Sequence, residues 1–242
     1  MAGFSKSEAI KFGWDITKKN IYFFIKVFLL INAILLSLLS LREFFKNISL
    51  LNFSFSLLIT ILEMIFSLGF IKIALKFYDN EKPEIYDVFF FKYRIFLKVF
   101  LASILYLIVV VFGLLLLIVP GIIFAIRLWF FEYFIVDKNL GVIESLKKSW
   151  EITKGNALNL FFFLILLALI NILGFLALII GLFLLIPILF LAPAFVYQKF
   201  LALIIGLFLL IPILFLAQAF VYRKLSENLQ LKNQEDQNFY QQ

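Results

Sequence analysis

At 242 residues, 64% hydrophobic, with a mean hydropathy of +1.09 and a net charge of +7, this chain has more apolar surface than a soluble fold can hide. Having neither Cys nor His, it lacks disulfides, thiolate nucleophiles, His general bases and the usual zinc ligands. The composition implies an all-α polytopic membrane protein with lipid as its solvent. Its basic residues flank apolar segments and form no face of their own, so no nucleic-acid surface is expected, and no metal site or cofactor either.

In chain order, Ser5-Lys6-Ser7-Glu8 reads as a capping box opening a helix that runs to about Asn20. Ile10, Trp14 and Thr17 fall on one side of it; Glu8, Lys11, Asp15 and Lys18 take the other. Such a helix is expected in the membrane interface, with Trp14 as an anchor at headgroup depth. A charged helix ahead of the first apolar run also argues against a signal peptide. The first span covers roughly Ile21 to Leu41, with Lys26 about 9 Å inside it by helical rise, close enough to the end to snorkel. A short polar loop leads to a second span, Leu51 to Leu75, which carries Glu63 near its middle.

The charged segment Lys76–Lys98 follows, and Pro83 to Phe90 within it reads as the start of a second interfacial helix. A third span, Val99–Val119, is expected to turn at Pro120-Gly121 into a short fourth span, Ile122–Val136, that extends into its flanks or thins the bilayer. Asp137–Asn156 returns to the amphipathic plan, with Ile143, Leu146 and the anchor Trp150 on the apolar side. Nearly everything from Ala157 to Tyr222 is apolar, and Asn171 with Gly174 marks the expected turn between spans five and six. The polar tail, 225–242, is expected to be frayed.

Two repeats run through this plan. Trp14-Asp15-Ile16-Thr17-Lys18-Lys19-Asn20 matches Trp150-Glu151-Ile152-Thr153-Lys154-Gly155-Asn156, with Glu8 over Glu144 and Lys11 over Lys147. Each copy precedes an apolar span. Residues 1–199 therefore read as one membrane domain of three units, each an interfacial helix followed by a membrane hairpin. The second repeat is near-identical: Phe175–Lys199 recurs as Phe200–Lys224, differing only where Pro193 becomes Gln218 and Gln198 becomes Arg223. Residues 200–224 are long enough for one crossing, and a seventh membrane helix is expected there. In the alternative, this copy replaces its twin as span six. The clustering of basic residues places the N-terminus on the cytoplasmic side by the positive-inside rule. A seventh crossing would then export Arg223 and Lys224, against that rule.

The stretch PGIIFAIRLWFFEYFIVDKNLGVIESLKKSWEITKGN resembles a bacterial family named for the membrane domain of glycerophosphoryl diester phosphodiesterase. The residues that carry the likeness are Pro120, Gly121, Arg127, Asp137, Gly141, Ser149, Thr153, Lys154 and Gly155. The resemblance spans about residues 5–199 and implies a six-helix membrane domain in the cytoplasmic (inner) membrane. The family's catalytic phosphodiesterase domain has no counterpart in this sequence.

The sharpest candidate site is a pair of intramembrane charges, because a carboxylate or guanidinium within a span is costly unless it is paired. Arg127 lies about 9 Å below Pro120-Gly121, and Glu132, about 140° further round a continuous helix, cannot share its face. Glu63 is therefore the expected partner of Arg127. Lys26, Glu132 and Asn171 complete the intramembrane polar set, and no catalytic residue is expected. Two functional classes stay open. One is a non-enzymatic domain that organises lipid or protein partners, its lysines meeting anionic headgroups. The other is a small permease or lipid-handling transporter that uses Glu63 and Arg127. An intramembrane enzyme would need paired carboxylates, and no single motif supplies them.

Overall fold

The computed structural model describes residues 4–90, 92–189 and 210–240, and among these there are helices and turns but no strand. Helix α1 (Lys6–Lys19) opens as expected, the Ser5 hydroxyl accepting from the Glu8 N–H at 3.3 Å. α2 (Ile21–Phe44) and α3 (Ser49–Tyr78) form a hairpin whose turn carries Glu43 and Lys46, paired at 2.6 Å. A short 3-10 helix (Ile85–Phe89) connects α3 to α4 (Tyr93–Leu116). Then come α5 (Ile118–Arg127), α6 (Phe131–Lys138), α7 (Val142–Ile152), α8 (Ala157–Leu189) and α9 (Leu210–Tyr240).

Four stretches are long and apolar enough to cross a membrane: Ile21–Phe44, Ser49–Tyr78, Tyr93–Leu116 and Ile118–Lys138. A fifth is available if Val142–Ile152 and Ala157–Leu173, bent 100° to each other, count as one span. That bend also sets α7 roughly crosswise to α8.

The turn after α4 is at Leu117, whose backbone is extended at φ −161 and ψ 145, and not at Pro120-Gly121. Pro120 instead occupies the first turn of α5, where its missing N–H costs nothing because that N–H has no partner in a helix. Gly121 serves the packing of α5 on α4. A Cβ there would sit 2.4 Å from the Leu114 side chain, and one on Gly113 would sit 2.9 Å from the Gly121 Cα. The fourth span extends into its flanks on both sides, to Ile118–Lys138, and it is broken between α5 and α6.

Two further expectations give way. The chain does not turn at Asn171 and Gly174, because α8 runs through both. The Asn171 side chain donates to the Leu167 carbonyl one turn back at 3.0 Å, so its amide is satisfied without breaking the helix. The tail is not frayed through the described residues, since α9 continues to Tyr240 with Leu225 and Ser226 buried.

Contacts gather the polar segments at one end of the bundle. Phe4 meets Phe163 edge-on at 5.5 Å, and Asn159 donates to the Phe4 carbonyl, which puts the start of α1 beside the start of α8. Phe23 and Phe24 pack on Phe77, joining the start of α2 to the end of α3. Lys98 donates to the carbonyl and the side chain of Asn139, joining the start of α4 to the end of α6. The 3-10 helix is pinned at this end as well. Asp87 takes Lys72 at 2.8 Å and Lys76 at 2.7 Å, and the Val88 backbone lies so close to Gly69 that a Cβ would meet its oxygen at 2.2 Å.

Candidate functional site

The repeated amphipathic helices carry the main surprise. The buried residues of α1 are Ala9, Gly13 and Thr17; those of α7 include Ser145, Ser149 and, just past its end, Thr153. These two sets coincide when Trp14 is laid over Trp150, each spaced one helical turn apart. Small residues let backbones approach closely, which is how helices associate where lipid removes the hydrophobic drive between them. Gly13 shows the closeness: a Cβ on it would lie 2.6 Å from the Ile213 carbonyl oxygen of α9. The apolar stripe read from sequence is partly turned outward, with Ile143 61% and Trp14 57% exposed.

On α7 the small face is also a hydrogen-bonding face. Ser149 Oγ donates to the Arg127 carbonyl at 2.9 Å and accepts from the Phe130 N–H at 3.0 Å. Thr153 Oγ1 reaches the same Arg127 carbonyl at 3.2 Å. The break between α5 and α6 frees these backbone groups, and α7 satisfies them. Arg127 itself donates through Nη2 to the Trp150 carbonyl at 3.0 Å, and its guanidinium carbon stands 3.6 Å from the Trp150 ring centroid. Its Nε is buried without a partner.

The expected ion pair between Glu63 and Arg127 does not form. Glu63 is exposed on α3, while Arg127 finds a carbonyl and an indole face on α7. An arginine needs donor acceptance and a polarisable surface, and both lie nearer to it than any carboxylate. Trp150 is accordingly an internal partner, packed against Phe124 at 5.7 Å, and not a free anchor like Trp14. Glu132 is half-buried in the first turn of α6, an end where the helix dipole favours a carboxylate. Lys26 is exposed on α2.

A second charged cluster escaped sequence reasoning. Arg223 of α9 forks onto Asp137, Nη1 to Oδ2 at 2.7 Å and Nη2 to Oδ1 at 2.9 Å, and Nη2 also meets Asp79. The Tyr222 hydroxyl adds a donor to Asp137 at 2.8 Å. Deeper in the bundle, the Tyr133 hydroxyl donates to Gln218 Oε1 at 3.2 Å. Arg223 and Gln218 are the two positions at which the duplicated segments differ; the first copy has Gln198 and Pro193 there and carries neither group. That difference was a visible signal. Since Asp79 ends α3 and Asp137 lies near the end of α6, Arg223 stands at the same polar end as α1. The seventh crossing expected for 200–224 required it to stand at the opposite end. The linking residues 190–209 lie outside the described residues.

Asp87 is the third polar knot. Burial opposes its ionisation, but the hydrogen bonds from Lys72, Lys76 and the Glu84 N–H outweigh that, and its carboxyl is held below the ordinary Asp range. No group of three or more potential metal ligands occurs among the described residues. Compared with protein-family models, curated proteins and solved structures, the chain matches none.

Proposed function

We propose that this chain is a non-enzymatic integral membrane domain that organises anionic lipid, and through it partner proteins, at the face carrying α1 and α7. One observation carries the reading: the amphipathic segments converge on one end of the bundle and leave Lys11, Lys18 and Lys19 of α1, and Lys147 and Lys154 of α7 and its end, exposed together with Trp14. Each such lysine near a membrane surface contributes about 1 kcal/mol toward anionic headgroups.

In this reading the polar end faces the cytoplasm of a bacterial inner membrane, the chain belongs with the glycerophosphodiesterase-type membrane domains it resembles, and it crosses the membrane six times. The duplicated segment supplies the last crossing, so the Arg223 fork replaces the seventh helix of the sequence-based expectation. Of the two intramembrane charges a permease would use, Arg127 is committed to Trp150 and Glu63 stands apart from it, exposed on α3.

Reconstitution into phosphatidylcholine vesicles doped with spin-labelled lipid tests the reading. The motionally restricted shell should favour labelled phosphatidylglycerol over labelled phosphatidylcholine, and raising the salt should weaken that preference. Equal partition of the two labels would refute it.

A further inference from the structure

An apolar cleft of about 400 Å³ opens between α4, α5 and α7. Leu105 and Val109 of α4, Phe124 of α5, and Leu146 and Trp150 of α7 wall it, and Lys147 and Glu151 stand at its rim. The volume lies within the range of small-ligand sites. Its back wall is held in place from behind, because Arg127 stacks on Trp150 and donates to that residue's carbonyl.

The rim decides what the cleft takes. Glu151 is bonded to Lys148 at 2.7 Å, which neutralises it. Lys147 is exposed and enters no ion pair among the described residues. The mouth therefore presents one uncompensated ammonium above an apolar slot, on a helix set crosswise to α8. A free polar solute would gain nothing from those walls, and an uncharged chain would gain nothing from that lysine.

We propose that the cleft holds one acyl chain of an anionic phospholipid, with its phosphate on Lys147. The proposal rests on the lipid-organising reading and narrows it to one site. Trp150 is the natural reporter, because its ring lines the slot. The full chain carrying Trp14→Phe and Trp129→Phe would be reconstituted in phosphatidylcholine vesicles. Equal fractions of acyl-brominated phosphatidylglycerol or acyl-brominated phosphatidylcholine would then be added as quenchers.

Brominated phosphatidylglycerol should quench Trp150 at least twofold more than brominated phosphatidylcholine. Lys147→Gln should erase that difference without lowering the phosphatidylcholine signal, and Val109→Phe, which fills the slot, should lower both. Equal quenching by the two lipids, or a preference that survives Lys147→Gln, overturns the site. If the spin-label experiment still shows anionic selectivity in that case, the lipid-organising reading stands without this cleft; if it shows none, both fall.

Discussion

Asp87 gathers three donors on one carboxylate: two lysines from α3 and the backbone N–H of Glu84 ahead of the 3-10 helix. Replacing it with Asn removes the charge that pairs Lys72 and Lys76 and leaves one amide oxygen where two carboxylate oxygens accepted. The expected loss at neutral pH is about 1–3 kcal/mol, at the lower end because both lysines are partly exposed. The pH dependence follows from the direction of the shift. A carboxyl held below its ordinary value stabilises the fold at any pH above the unfolded-state pKa of about 3.9, and that stabilisation is lost as pH falls through the depressed folded-state value. Thermal melts of detergent-solubilised protein should thus separate wild type from Asp87→Asn at pH 7 and bring them together in strong acid. A gap unchanged down to pH 2 would show that Asp87 acts through packing alone.

At the level of the helix, Arg223 ties the second copy of the duplicated segment to α3 and α6. Arg223→Gln gives the second copy the residue the first copy has at that position. It leaves the half-buried Asp137 with a single remaining donor, Tyr222. The expected cost is about 1.5–3 kcal/mol, since both partners are partly exposed, and the double variant Asp137→Asn/Arg223→Gln should lose less than the two single losses added together. Strictly additive losses in a denaturant series would deny the pair. The first four spans were readable from sequence, because apolar runs of this length leave few alternatives. What was not readable has a common physical cause. Where helices meet inside a membrane protein small residues line the contact, so Ser145, Ser149 and Thr153 share the inward face with Leu146 while Ile143 turns outward. Pro120-Gly121 misled for a different reason: Pro fits the first turn of a helix as well as a reverse turn. Glu63 and Arg127 were each recognised as costly charges, but sequence could not show that Arg127 had a carbonyl and an indole face already at hand.

The whole molecule is polarised. One end gathers α1, α7, the 3-10 helix, the Asp87 knot and the Arg223 fork, while the other holds the tight break at Leu117 and the turn with Glu43 and Lys46. α2, at 24 residues, sets these ends about 36 Å apart, enough to cross the hydrocarbon core. The lipid-organising proposal depends on that polarity, and so does the assignment of the duplicated segment to the last crossing. Because the chain has no Cys, each introduced thiol reports alone. Single variants Lys11→Cys, Lys154→Cys, Gln230→Cys and Lys46→Cys, treated in intact spheroplasts with a membrane-impermeant thiol reagent, test the arrangement most directly. Position 46 should label from outside, and positions 11, 154 and 230 only after the membrane is permeabilised. Labelling of position 230 together with 46 in intact cells would place the end of α9 on the wrong side and contradict the account.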